Sequence, residues 1–282
     1  MSAILTIPGP TWFVGCGNMG GAILDGWRMA ELDLSPVTVI RPSGKPVDGV
    51  RVVTSFEEAG AAPTLVVLAF KPQKLGEIAP QLASFVGTNT VIISLLAGVE
   101  VATLRGPFPE AMGIVRATPN LPVAVRRGVT GLYGDVADAE LKQQIGALFV
   151  ALGFAMWMAD EDKLGALGAV AGAGPAYVAR FIAALAKAGM KRGLSEEIAS
   201  TLALETVLGT AWMAASSGES MDSIARRVAS PKGTTEAGLD VLDREGVLDQ
   251  LVAITIEAAA RRGSELAQEA KSASLAETPR LS

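Results

Sequence analysis

The 282-residue chain contains no histidine and a single cysteine, Cys16. Without histidine there is no Ser-His or Cys-His nucleophile pair and no His-ligated zinc centre, and the commonest general base is missing. A lone cysteine forms no internal disulfide. Net charge is −5 and no long basic run occurs, which argues against nucleic acid or an anionic membrane surface as the main partner. The first residues lack the basic region and long apolar core of a secretory signal, so a cytoplasmic location is expected. The longest uncharged apolar run, Leu164 to Ala179, holds four glycines and a proline and falls short of the roughly 20 residues a membrane span needs. A soluble protein is expected, with chemistry that relies on a cofactor or on hydroxyl, amide and charged groups.

Half of the residues are hydrophobic, and the length exceeds one typical domain, so two domains are expected. Short apolar runs at Trp12 to Val14, Val37 to Ile40, Val50 to Val53, Leu65 to Ala69, Val91 to Ser94 and Ile114 to Ala117 alternate with helical segments. That alternation predicts an α/β fold with a doubly wound parallel sheet of Rossmann type, its strands covered on both faces. A further run at Phe154 to Met158 closes this domain, placed at residues 1–159. Beyond Asp160 the chain turns to long alanine-rich helical segments, which predict an all-helical domain at residues 160–282. Ser195 is the expected N-cap of one of these helices, with Glu196 and Glu197 in its first turn. The density of Ala and Gly lets helices approach closely, and the apolar surface exceeds what one layer buries, so self-association is expected. Lys271 to Ser282 read as a loose polar tail.

Gly15-Cys16-Gly17-Asn18-Met19-Gly20 follows the first strand and opens a helix, the context that a G-x-G-x-x-G dinucleotide loop requires. Gly15 permits the tight turn, Gly17 admits a pyrophosphate to the backbone, and Gly20 allows helix and strand to pack closely. At the end of the second strand, where an acid would hold the ribose of NAD, the chain has Arg41-Pro42-Ser43-Gly44-Lys45. Arg41, Ser43 and Lys45 suit a 2′-phosphate, so NADPH is the expected cofactor, with NADH the alternative. Lys71-Pro72 and the stretch Ser94 through Gly98 follow later strands. Each reads either as a wall of the nicotinamide pocket or as an ordinary strand end. Ser230-Pro231-Lys232-Gly233-Thr234-Thr235, far along in the helical half, fits an anion seat at a helix start: Pro231 fixes φ, Gly233 frees the backbone, and consecutive N–H groups can converge. A capped helix start serving stability alone is the plainer reading.

In order along nearly the whole chain, the Gly15 to Gly20 loop, Ala69-Phe70-Lys71-Pro72, Ser94 to Val99, Thr118-Pro119-Asn120-Leu121-Pro122, Gly172-Ala173-Gly174-Pro175-Ala176-Tyr177 and Ser230 through Leu239 resemble the pyrroline-5-carboxylate reductase family. The resemblance implies a Rossmann domain followed by a helical dimerisation domain that interlocks with a second subunit, in dimers often assembled into larger rings such as a decamer. It implies hydride transfer from NAD(P)H to the C=N bond of L-1-pyrroline-5-carboxylate, giving L-proline. Asn18, Met19, Ala69, Ala97, Gly98 and Asn120 join the expected cofactor contacts on the same ground. The substrate carboxylate would be held by Ser230, Gly233, Thr234 and Thr235, with Thr235 also at the ring nitrogen. Lys232 stands where the family usually has glycine, Ala173 where serine is frequent, and Leu121 where threonine is usual. Lys232 would add positive charge near the carboxylate.

This chemistry is compatible with the missing histidine. A protonated cyclic imine accepts hydride without an enzymic nucleophile, so the protein has to position the partners and stabilise charge. Two other classes fit the same outline. One is a dehydrogenase of 3-hydroxy acids, for which Lys163 or Lys187 would serve as acid or base. The other is a non-catalytic NADP-binding dimer module.

Overall fold

The computed structural model describes residues 5–276, with side chains to 268. Eight strands form one sheet in the order β3-β2-β1-β4-β5-β6-β7-β8. β1 (Thr11–Val14), β2 (Val37–Ile40), β3 (Arg51–Val53), β4 (Leu65–Leu68), β5 (Val91–Ser94) and β6 (Gly113–Pro119) run parallel. β1, β2, β4 and β5 are buried at every position, as strands covered on both faces must be. Trp12 and Phe13, neighbours on β1, point into the two opposite layers of the core. On one face lies α1 (Asn18–Met29), whose Trp27 is fully buried and donates its indole N–H to the carbonyl of Leu148 at 2.9 Å. On the other lie α2 (Leu75–Ala83) and α3 (Val101–Arg105), packed over Trp12, Val66 and Ile92.

Every strand expected from the sequence is present, but the sheet is mixed. β7 (Gly128–Gly134) runs antiparallel to β6, and β8 (Gly153–Trp157) is parallel to β7 across α4 (Ala139–Val150). The reason is connection length. β6 and β7 are joined by a short 3-10 turn, Leu121–Val125, that ends on Arg126 at φ +56°, and so short a link can only return the chain antiparallel. β7 itself gave no sequence signal because glycines occupy Gly128, Gly131 and Gly134. A side chain at Gly131 would lie 2.7 Å from Leu167, so the glycine is what lets the following helix sit on the strand.

That helix, α5 (Lys163–Leu167), passes through a π-turn at Gly168–Gly172 into α6 (Gly174–Lys191). α7 (Glu196–Ser217), α8 (Met221–Val228), α9 (Thr234–Leu242) and α10 (Val247–Ala276) follow. Ser195 does cap α7, accepting from the N–H of Ile198, and Gly218 ends it in the left-handed region at φ +68°. The expected tail is helical as far as Ala276; residues 277–282 lie outside the described residues. The chain forms two compact units. One reaches to Ala173 and takes in the chain from Ala259 onward; the other is Gly174–Ala258.

The second unit is held by α6 against α7, through the buried alanines Ala186, Ala199 and Ala203. Its large side chains face outward: Phe181, Ile198, Leu202, Leu204 and Leu208 are all about half exposed or more. The continuous stretch Lys163–Lys191 and α7 are both long and apolar enough, by length and composition, to cross a membrane. The sequence expectation of no such segment is corrected here, because helices continue through glycines and isolated charges that end an uncharged run.

Candidate active site

β1, β2, β4 and β5 end level: Val14 pairs with both Ile40 and Leu68, and Leu68 pairs with Ser94. Four loops therefore leave the sheet in one row, starting at Gly15, Arg41, Ala69 and Leu95. They border a cleft of about 960 Å³ at the carboxyl edge, at the point where strand order reverses between β1 and β4.

The three loop glycines each have a physical reason. Gly15 has φ +79°, and a side chain there would meet the carbonyl of Ala69 at 2.8 Å. A side chain on Gly20 would press on the methyl of Ala69 at 3.3 Å, so this glycine sets how closely α1 approaches β4. At Gly17 a Cβ would meet no protein atom and would project into the cleft. That is a cradle a ligand backbone can approach, at the start of a helix with no side-chain cap.

Arg41 is held in place. Its Nε donates to Ser43 Oγ at 3.1 Å and its Nη1 to the carbonyl of Cys16 at 3.2 Å, which stretches the guanidinium from the β2 loop to the glycine loop. Lys45 closes the same turn, its N–H reaching Ser43 Oγ at 3.4 Å. Burial pushes the Cys16 thiol above its ordinary pKa, and the Arg41 guanidinium pulls it partly back. Pro72 starts a 3-10 turn (Pro72–Lys74) and also lines the cleft, so its two sequence readings are compatible.

Of the expected cofactor residues, Gly15, Gly17, Asn18, Met19, Gly20, Arg41, Ser43, Lys45, Ala69, Lys71, Pro72 and Ala97 border this one cleft. Gly98 and Asn120 do not. Gly98, at φ +75°, packs against Ala267 of α10, where any side chain would collide. Asn120 is buried, and both ends of its amide are taken: Oδ1 accepts from the N–H of Val129 at 2.8 Å and Nδ2 donates to the carbonyl of Ala171 at 2.9 Å. Thr54, Ser55 and Phe56 border the cleft without having been singled out. Their signal was available, since Thr-Ser directly after β3 stands at the same edge as Arg41 after β2.

The segment Ser230–Thr235 belongs to the second unit. Thr234 opens α9 behind Gly233, and no side chain caps this helix start. The N–H of Gly233 donates to the carbonyl of Ser230 at 2.9 Å, and a side chain on Gly233 would strike the Ser230 hydroxyl. Lys232 has φ +60°, in the left-handed region, and its N–H donates to Glu236 at 2.6 Å. A glycine would adopt this backbone freely, whereas the lysine meets it under strain. Leu121 is exposed at the β6–β7 turn, and Ala173 ends the π-turn. Among the described residues no cluster of acidic or cysteine side chains could hold a metal ion.

A family model described as pyrroline-5-carboxylate reductase dimerisation matches residues 161–266, and one described as NADP oxidoreductase, coenzyme F420-dependent, matches residues 12–98. A pyrroline-5-carboxylate reductase of Pseudomonas aeruginosa is 36% identical over 264 residues, covering 91% of this chain and 96% of the relative. One from Synechocystis is also 36% identical, over 90% and 96%. Among solved structures, a pyrroline-5-carboxylate reductase from Coxiella burnetii superposes with a TM-score of 0.82 at 32% identity, covering 92% of this chain and 98% of that one. The Plasmodium falciparum pyrroline carboxylate reductase with NADP bound gives 0.81 at 26% identity, covering 91% and 97%.

Proposed function

Since the chain belongs to the pyrroline-5-carboxylate reductase family, we propose how its own residues carry out the reduction of L-1-pyrroline-5-carboxylate to L-proline with NAD(P)H. The protein is an NAD(P)H-dependent oxidoreductase of a cyclic imino acid, and it forms a homo-oligomer. Family membership replaces the hydroxy-acid dehydrogenase and the non-catalytic module.

The cleft residues fit the cofactor. Gly15 to Gly20 would hold the pyrophosphate at the α1 start, Arg41, Ser43 and Lys45 the 2′-phosphate, and Ala69, Lys71, Pro72 and Ala97 the nicotinamide end. On this reading NADPH is preferred over NADH. When bound, the cofactor supplies hydride for the ring carbon of the C=N bond. The observation that carries the substrate assignment is the uncapped start of α9, whose N–H groups and positive dipole end suit a carboxylate. Ser230, Thr234 and Thr235 bind that carboxylate, Gly233 leaves room for it beside the backbone, and Lys232 adds charge. The Thr235 hydroxyl orients the ring nitrogen and passes it a proton from water.

Residues 1–159 act as the nucleotide-binding domain and 160–282 as the dimerisation and substrate-binding domain. Support comes from the end of β8 at Trp157 and from the dimerisation match that begins at 161. The helical parts of two subunits interlock, the dimers join in a ring such as a decamer, and the enzyme works in the cytoplasm.

The test is oxidation of NADPH and NADH by the purified protein with five- and six-membered cyclic imino acids. The five-membered acid with NADPH should be turned over fastest, and no oxidation with either ring would overturn the reading. Thr235→Ala should lower kcat/KM by up to about 10²-fold, by analogy with losing one oxyanion donor. Unchanged kcat and KM in that variant would remove Thr235 from its role.

A further inference from the structure

Glu161 lies just beyond β8, at the first residue of the segment matched to the dimerisation model. Its side chain turns back to the sheet. A single oxygen, Oε1, accepts from Arg116 Nη1 at 2.8 Å and from the backbone N–H of Val101 at 2.9 Å. The pair is largely buried, with side-chain exposures of 12% for Arg116 and 20% for Glu161.

One partner closes a loop and the other lies on the neighbouring strand, beside the start of that loop. Arg116 on β6 is in register with Ser94, the last residue of β5, and Val101 is the first residue of α3. Between them runs the loop 95–100, whose Leu95 and Ala97 line the cleft. α3 has no side-chain cap from its own N-cap residue, Glu100, so Glu161 supplies the missing acceptor from outside the helix. Ser94 Oγ holds the other end by accepting from the N–H of Leu96 at 3.2 Å.

We propose that Glu161 is a positioning residue for the cofactor: by clamping Arg116 to Val101 it holds the loop 95–100 in the shape that receives the nicotinamide end of NADPH. It thereby ties the first residue of the dimerisation segment to the cofactor cleft. The proposal rests on reading the cleft as the NADPH site. Glu161 touches neither cofactor nor substrate, so its loss lowers the fraction of molecules with a binding-competent loop and leaves the hydride step alone.

The experiment measures the NADPH dissociation constant of the intact protein by fluorescence, beside steady-state kinetics and thermal melting. Glu161→Ala should raise that constant roughly tenfold, and Glu161→Gln, which keeps an acceptor for Val101, by about threefold. In both, kcat at saturating NADPH should stay within about twofold of wild type. Glu161→Gln carries the test if the alanine variant does not fold. The proposal is overturned if both variants bind NADPH like wild type, or if affinity, kcat and melting temperature fall together as in general loss of structure. Ala97→Trp separates the two readings. Normal NADPH binding in that variant would sink the cleft assignment itself, whereas lost binding there with normal binding in the Glu161 variants would sink only the clamp.

Discussion

The guanidinium of Arg41 is held by Ser43 on one side and by the carbonyl of Cys16 on the other. Such preorganisation favours a phosphate, because little side-chain entropy is left to lose on binding. Arg41→Ala should therefore raise KM for NADPH by about 10- to 100-fold and change KM for NADH far less. Steady-state assays with both cofactors check this, and equal changes would remove the phosphate role. At this scale the sequence was informative wherever residue type and spacing carry the chemistry. Gly15, Gly17 and Gly20 each have the turn, the opening and the close packing expected of them. Lys232 was legible only as a charge. Its left-handed backbone depends on how Pro231 and Gly233 turn into α9, which no single residue letter states.

At the scale of elements, Asn120 links two turns that the sequence left unconnected. Pro175 has no N–H, so the carbonyl of Ala171, four residues earlier, lacks the helical donor it would otherwise receive. Nδ2 of Asn120 donates to that carbonyl, while Oδ1 holds the start of β7 through Val129. Asn120→Ala should cost about 2–4 kcal/mol of stability, from two partners left unsatisfied in a buried site. Chemical denaturation measures the loss, and a variant as stable as wild type but weak in NADPH binding would instead return Asn120 to the cofactor. β7 was missed for a related reason. Its glycines are set by what packs on them, Val123 at Gly128, Leu167 at Gly131 and the carbonyl of Ile114 at Gly134, and those neighbours are brought in by the turn, the helix and the pairing strand rather than by the local letters. β1, β2, β4 and β5 were legible because a buried parallel strand needs an unbroken apolar run.

For the whole molecule, the helical unit buries three alanines and Ile224 and leaves most of its leucines outward. A homo-oligomer accounts for that surface, and the dimerisation match covers it. Leu204 and Leu208 stand one turn apart on α7, 51% and 56% exposed. Changing both to Glu should raise the subunit dissociation constant by at least about a hundredfold, given 1.5–3 kcal/mol per buried leucine. Sedimentation shows the shift directly; an oligomer of unchanged strength would place the interface elsewhere. The change to alanine-rich helices after Asp160 was legible in composition, but the compact units divide at Gly174 and the last helix returns to the first unit from Ala259, which no local composition states; polar residues at the end of that helix concealed its continuation to Ala276.

The level ends of β2, β1, β4 and β5 also give the sheet the character of a ruler. Neighbouring strands are spaced at about 4.8 Å, so the row of four loop starts measures about 14 Å from Arg41 to Leu95. A ligand must bridge that row to touch both the arginine at one end and Ala97 at the other. A mononucleotide can engage only one end of it, so on the cofactor reading proposed above half a cofactor should neither support turnover nor compete well with the whole.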